Sequence, residues 1–332
     1  METKNNQKPV KVSVIVVNFN GMPYIETCIS SLLKQSYQDF EIILVDNGST
    51  DGSLEYAKNR FPELVIVANK SNLGYLGGII SGIDIAKGEY ISPINYDTEV
   101  ASNWLTPMVE FLMDNPKVGA VTPKILLYQA RDRINALGLK VHITGLGWVR
   151  GLYDREDKFP DQPVRVASVS GCSYVVRRDV FQQIEGLIDH QFMYYDDVEL
   201  SWLINLLGYE IYCVPKSVMY HRYELKMNPE KFQWLEYNRL SLLIRCLSRS
   251  SFIIILPFLG LTELMIAGYC LIRGKKYISS KFRSATMIIK SFKQLMEKRQ
   301  GIQRLRKISD LRFFRILQFN YEWKQLLGIT KE

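Results

Sequence analysis

No C-x-x-C pair occurs in the 332 residues, and the five cysteines (Cys28, Cys172, Cys213, Cys246, Cys270) are odd in number and scattered. That distribution argues against a disulfide scaffold or a zinc site and for free thiols in a reducing compartment. Low-complexity runs are missing, which argues against disorder, and no internal repeat is present. The polar start METKNNQKP lacks an apolar segment, so the N-terminus is expected in the cytosol with residues 1–9 disordered. No G-x-G-x-x-G follows the first apolar run and no G-x-x-x-x-G-K-[ST] occurs, which argues against dinucleotide binding in the oxidoreductase manner and against a P-loop. Acid is scarce from 273 to 307, where Glu297 stands alone among many Lys and Arg.

What is present is a chain with 47% hydrophobic and 23% charged residues, long enough for one large domain or two smaller ones. VKVSVIVVNFNG is a continuous apolar run broken at Asn18, Asn20 and Gly21, the pattern of a buried parallel strand ending in a loop. MPYIETCISSLLKQSY has helical spacing through Ile25, Ile29, Leu32 and Leu33. FEIILVDNGSTDGS predicts a second buried strand and a polar turn, LEYAKNRFP a helix, ELVIVANK a third strand, GGIISGIDIAKG a helix, and EYISPINYD a fourth strand. Regular alternation of strand and helix predicts an open α/β sheet, in which ligands sit beyond the carboxyl ends of the strands.

Polar residues collect at those ends: Asn18 and Asn20, Asp46 and Asn47, Asn69 and Asn72, Asn95 and Asp97. Each taken alone reads as a turn or a helix cap. Four in succession predict one crevice that binds something polar. NLGYLGG, with Gly74, lets backbone approach a phosphate, although alone this is a weak pattern.

VSVIVVNFNG, EIILVDNGSTDGS, NKSNLGYLGGIISGI, INYDT, SGCSYVVRRDVFQQIEGLID and FMYYDDVELSW occur in the order seen in family 2 glycosyltransferases, and about residues 10–225 resemble the rhamnosyltransferase-like members. The resemblance implies a GT-A catalytic domain over 10–225, an open mixed sheet flanked by helices, and inverting transfer from a nucleotide-diphosphate sugar. It implies that Asp46 binds the nucleotide, with the loop at Asn18 shaping the base pocket and Asn72 and Gly74 on the same side. NYD at 95–97 matches the D-x-D position, so Asp97 is expected to hold Mg²⁺ or Mn²⁺ and Asn95 to contact ribose. Hard cations of this kind use one or two carboxylates, with phosphate and water completing the shell. Read on its own, Asp97 is a cap for the helix expected over EVASNWLTPMVEFLMD, with Glu99 at that helix's start.

The same resemblance makes Asp197 the general base, flanked by Asp196 and Glu199. A carboxylate within about 2.6–3.2 Å of an acceptor hydroxyl takes its proton as the new C–O bond forms. Read without the family, these acids are a helix N-terminus, although one cap needs one acid. His221 matches the family's histidine after the last core strand, a metal ligand or diphosphate contact, or else simply a structural histidine. Gly171 and Cys172 fall on the acceptor side. Asp196 stands where the family usually has Glu, Glu199 where it has Asp, and Leu203 where many members have Arg.

Residues 226–332 are expected to be helical, with an apolar stretch at 252–272 long enough to span a bilayer and a basic tail beside it. Pro257, Gly260, Glu263 and Gly268 interrupt that stretch, and a full span would put the basic tail outside, against the positive-inside tendency. A re-entrant or in-plane helix at the cytoplasmic face satisfies both constraints, with a single span and a soluble core helix as the alternatives. The functional expectation is a metal-dependent glycosyltransferase acting on a glycan or lipid-linked acceptor in cell-surface polysaccharide or glycoconjugate synthesis. A silent nucleotide-sugar binder or assembly partner is the alternative, disfavoured by the joint presence of Asp46, Asp97 and Asp197. Nucleic acid is not an expected partner, since the tail lacks interleaved stacking aromatics.

Overall fold

Strands β1 (Val12–Asn18), β2 (Phe40–Asp46), β3 (Val65–Ala68) and β4 (Tyr90–Asn95) alternate with helices α1 (Ile25–Leu32), α2 (Ser53–Arg60) and α3 (Gly74–Ile83). The computed structural model describes residues 11–188, 193–224 and 227–326, and the stretch expected to be disordered lies outside them. β1 pairs in parallel with both β2 and β4, and β2 with β3. β1 is buried at every position, which is why it reads as an unbroken apolar run rather than an alternating one. Leu33, placed in the apolar phase of α1, follows its last turn and is exposed.

Beyond β4 the chain adds β5 (Thr98–Val100), α4 (Leu105–Asp114), β6 (Val118–Leu127), β7 (Ala130–Ala136), β8 (Leu139–Val141) and β9 (Gly147–Val149). It continues through β10 (Val164–Arg165), β11 (Val175–Arg177), α5 (Arg178–Ile184), α6 (Asp196–Leu206) and β12 (Glu210–His221). The main sheet runs in the order β10-β12-β6-β11-β4-β1-β2-β3. β11 inserts antiparallel between β4 and β6, while β12 lies parallel to β6, so the sheet is mixed.

Glu99 was expected to open a helix and instead sits in β5. Thr98 and Val100 are buried against the end of β12, which makes a short strand there, and α4 starts only at Leu105. Asp97 is therefore not the cap of α4. The same pairing sets His221 opposite Thr98, beside Asp97.

α6 is buried all along Val198–Leu206, the mark of a helix covered on every side. The C-terminal helices are α7 (Pro229–Cys246), α8 (Arg249–Arg273), α9 (Lys275–Leu305), α10 (Asp310–Phe314) and α11 (Trp323–Leu326), and the first four share a core with α6. Trp202 meets Phe313 edge-on at 4.9 Å between ring centroids. Leu242, Ile255, Ile302 and Phe313 join Ile15, Ile43 and Trp202 in one continuous core, which thus runs across residue 225. The N-terminus of α6, with its acids, is held between the sheet and these helices.

Candidate active site

Asn18 and Asp46 face each other across the β1–β2 register. Asn18 is fully buried and its amide donates to Asp46 Oδ1 at 2.9 Å, to Ser53 Oγ at 2.9 Å and to Ser49 Oγ at 3.2 Å. Asp46 Oδ2 accepts from the Ser49 backbone N–H at 3.0 Å. Asn18 thus orients Asp46 from a buried position, and its own Oδ1 has no hydrogen-bond partner. A Cβ on Gly21 would fall 2.1 Å from Asn18 Oδ1, so the loop closes tightly over it. Asp46 makes the turn read for it from composition, and each carboxylate oxygen keeps capacity for a second donor.

Asn47 ties the end of β2 to the start of α3. Its amide donates to Asn72 Oδ1 at 3.0 Å and to the Gly74 carbonyl at 2.8 Å, and its Oδ1 accepts from Asn69 at 3.1 Å. Asn72 Oδ1 also accepts from the Gly74 N–H at 2.8 Å, and Gly74 takes φ +77°. That amide is consequently committed to the turn and not presented to a phosphate.

At the end of β4 the Asn95 N–H donates to the Cys172 carbonyl at 3.1 Å. Two residues on, Asp97 Oδ1 is buried without a hydrogen-bond partner and lies 3.5 Å from His221 Nε2. His221 Nδ1 stands 2.9 Å from Asn135 Oδ1, so a proton on Nδ1 satisfies Asn135, and Nε2 is the nitrogen that faces Asp97. Burial opposes a charged imidazolium, but Cys172 and Asp97 outweigh it and raise the His221 pKa. Burial also raises the Cys172 thiol. An orphaned buried carboxylate oxygen facing an imidazole nitrogen fits a hard divalent cation, which would bind with loss of the Nε2 proton that the raised pKa otherwise keeps there. Among the described residues no three His, Cys, Asp or Glu side chains converge, so the protein would supply two ligands and leave the rest of the shell to substrate oxygens and water.

Arg222, next along the chain, was not foreseen. Its N–H donates to the Asp97 carbonyl at 3.2 Å, and its guanidinium lies 3.6 Å from the Tyr128 ring centroid and 5.1 Å from that of Tyr24. Its Nη1 is buried with no hydrogen-bond partner. An unfilled cationic donor thus accompanies an unfilled carboxylate acceptor. The only signal in sequence was a basic residue directly after His221.

The second acid cluster opens α6. Asp197 Oδ2 accepts from the Gly171 N–H at 2.8 Å and Oδ1 from the Val198 N–H at 2.8 Å. Gly171 is held from its other side, where the Tyr75 hydroxyl donates to its carbonyl at 2.8 Å. Burial raises the carboxyl pKa of Asp197 against the lowering effect of these backbone donors. Burial also raises Asp196, and repulsion from Asp197 adds to it. Gly171 and Cys172 therefore join the two clusters, Gly171 to Asp197 and Cys172 to Asn95. Cys172 is itself buried with a raised thiol pKa, which suits packing rather than nucleophilic attack.

Glu199 is not part of that cluster. It lies two residues past Asp197, on the opposite side of α6, where it is buried in an ion pair with Arg245 of α7. It supports the helix and does not line the crevice. Leu203 is likewise in the core. Tyr194 and Tyr195, just before the acids, adopt φ +68° and +69°, left-handed values that bulky residues rarely take. Asn238 of α7 donates to the Met193 and Tyr194 carbonyls at 3.0 and 2.8 Å and holds this strained entry in place.

The family model described as glycosyl transferase family 2 matches residues 13–184. An N-acetylglucosaminyl-diphospho-decaprenol L-rhamnosyltransferase of Mycobacterium tuberculosis (strain CDC 1551 / Oshkosh) is 26% identical over 231 residues, covering 63% of this chain and 75% of that protein. Among solved structures, GalNAc-T7 with UDP, GalNAc and Mn²⁺ superposes with a TM-score of 0.60 at 21% identity, over 72% of this chain but only 48% of the other. A mannosyltransferase of Pyrobaculum calidifontis, in complex with GDP-Man and Mn²⁺, superposes with a TM-score of 0.53 at 19% identity, over 88% of this chain and 89% of the other. These likenesses carry the fold.

Proposed function

The chain belongs to glycosyl transferase family 2 and is a glycosyltransferase of GT-A fold, and we propose that it moves a sugar from a nucleotide-diphosphate donor to an acceptor hydroxyl with inversion at the anomeric carbon. The acceptor in this reading is a glycan or a lipid-linked glycan of the cell surface, and the work is done at the cytoplasmic face of the membrane. One observation carries the chemistry: Gly171–Cys172 links Asp197 to the strand end that bears Asp97.

In this reading Asp46, steadied by Asn18, accepts from the nucleotide, and Asn95 contacts ribose. Asp97 and His221 would hold Mg²⁺ or Mn²⁺, and Arg222 Nη1 would donate to a diphosphate oxygen. A cation held by these two residues would supply positive charge against the departing diphosphate. Asp197 takes the acceptor proton while the acceptor oxygen attacks opposite the leaving group. Its raised pKa suits a base that must accept a proton in the transition state. One displacement inverts the centre, and no covalent nucleophile is needed.

The test is a panel of UDP-, GDP- and dTDP-sugars with Mg²⁺ or Mn²⁺, following nucleotide diphosphate release with a crude lipid-linked acceptor. Turnover by the unaltered protein that survives in both Asp97→Ala and Asp197→Asn would remove the site assignment. Retained anomeric configuration in the product would remove the inverting mechanism. Donor binding with no turnover on any acceptor would favour a silent binder instead.

A further inference from the structure

Helix α8 is apolar on two opposite faces, and only one of them is covered. Ser251, Ile255, Thr262, Ile266 and Cys270 face inward. Along that face Thr262 Oγ1 donates to Thr144 Oγ1 at 3.1 Å, and the Phe258 ring packs 6.4 Å from His142 and 5.9 Å from Phe319. On the opposite face Ile253, Leu264 and Leu271 are 66%, 72% and 72% exposed, in line with Pro257 and Gly260 at helical spacing. Solvent-facing Leu and Ile spread over about five turns of a 25-residue helix are unlike an ordinary surface helix.

After Gly274 the chain folds back as α9, and a 2.7 Å ion pair between Lys281 and Glu263 ties the two helices side by side. α9 continues the pattern with a narrower apolar stripe. Phe282 and Ile289 are 71% and 76% exposed, seven residues apart. Lys276, Arg283 and Lys290 repeat with the same spacing one position further on, and all three are exposed. The outer side of α9 is thus an apolar stripe bordered by a basic one.

We propose that the outer faces of α8 and α9 form a docking plate that lies in the plane of an anionic bilayer surface. This rests on the reading of the protein as working at a membrane face, and it specifies how. A crossing helix would have to give up the inner face of α8, which is packed on the body of the protein from Ser251 to Cys270, and carry the Glu263–Lys281 pair into hydrocarbon. A second copy is a poor occupant, since it would bring Lys276, Arg283 and Lys290 against their own counterparts in a stretch whose only acid is Glu297. Anionic headgroups match the basic stripe while acyl chains accept Leu, Ile and Phe.

Flotation of the purified full-length protein with phosphatidylcholine vesicles, with and without phosphatidylglycerol, tests this. The protein should float with the anionic vesicles and leave native membranes in alkaline carbonate. Replacing Lys276, Arg283 and Lys290 together by Gln should weaken binding roughly a hundredfold at low salt. Ile253→Ser, Leu264→Ser and Leu271→Ser together should weaken it by at least about tenfold. If that variant fails to fold, Phe282→Ser with Ile289→Ser reads the same plate from α9. No flotation on anionic vesicles, retention in carbonate, or a dimer dissolved by the apolar substitutions would each overturn the proposal. Nucleotide diphosphate release is followed in parallel, so that failure of the transferase reading leaves a separate trace.

Discussion

The backbone N–H of Gly171 donates to Asp197 Oδ2 at 2.8 Å, so the position of the proposed base is set by a glycine 26 residues earlier in the chain. A Cβ at Gly171 would stand 3.2 Å from that same oxygen and 3.4 Å from Asp197 Cβ. Gly171→Ala should therefore shift the carboxylate by a few tenths of an ångström without unfolding the protein. The expected result is a fall in kcat of about tenfold to a hundredfold, with the donor KM and the melting temperature little changed. Asp197→Asn should cost about 10²–10⁴ in kcat. Unaltered kcat in Gly171→Ala would show that Asp197 is not held for catalysis by this contact.

Asp196 and Asp197 have pKa values raised by burial. A carboxyl whose folded pKa lies above its unfolded value binds protons more readily when folded, so its contribution to stability is present at low pH and lost as pH rises through the folded pKa. Asp196→Asn should therefore raise the melting temperature above neutral pH and change it little near about pH 4. The acid limb of kcat/KM, which reports the ionisation of the base, should lie above the ordinary carboxylate range. A limb at about pH 4 would contradict the assignment of Asp197.

Metal affinity should depend on Asp97 and His221 and on the residue behind them. Asp97→Asn and His221→Ala should each weaken Mn²⁺ binding in the presence of nucleotide diphosphate. Asn135→Ala, which removes the acceptor 2.9 Å from His221 Nδ1, should weaken it by about tenfold through ring orientation alone. Calorimetric titration reads all three. Full affinity in Asp97→Asn would move the cation elsewhere.

Arg222→Lys keeps the charge and loses the planar group stacked on Tyr128 at 3.6 Å. An ammonium cannot reproduce that stack or the fork of donors. The donor KM and the dissociation constant of free nucleotide diphosphate should both rise about tenfold, a loss of roughly 1.4 kcal/mol. Equal nucleotide affinity in Arg222→Gln would exclude contact with the diphosphate.

The parallel half of the sheet was legible because buried strands leave continuous apolar runs, as in VSVIVVN and FEIILVD. β5 and β11 were not, since three residues carry no period and their pairing partners lie far along the chain. The acids of the crevice were visible as strand-end and helix-start residues, but their orientation was not. Glu199 looked like a third member of the cluster, yet two positions on a helix carry a side chain to the far side, where Arg245 receives it. The loop at Asn18 was legible as part of the base pocket, but the bracing of Asp46 by its amide was not, because only three-dimensional packing brings Ser49 and Ser53 to that amide. Tyr75, Arg222 and Asn238 act through contacts with segments distant in sequence, which no local pattern records.

Asn238 gives the sharpest link between the C-terminal helices and the crevice. It is 1% exposed and binds two carbonyls of the segment that carries Tyr194 and Tyr195 in left-handed conformation. Such conformations cost of order 1–3 kcal/mol each and persist only where neighbours enforce them. Asn238→Ala leaves the Met193 and Tyr194 carbonyls without this donor and should destabilise the fold by about 1–3 kcal/mol. The released segment would let Asp196 and Asp197 drift, so kcat should fall while binding of free nucleotide diphosphate, held at the other strand ends, stays near its original value. Asn238→Asp keeps the size but offers no N–H and should behave like alanine, whereas Asn238→Gln should recover part of both losses. Denaturant unfolding and steady-state kinetics on the three variants separate the two effects. A stability loss with unchanged kcat would leave Asn238 a packing residue only.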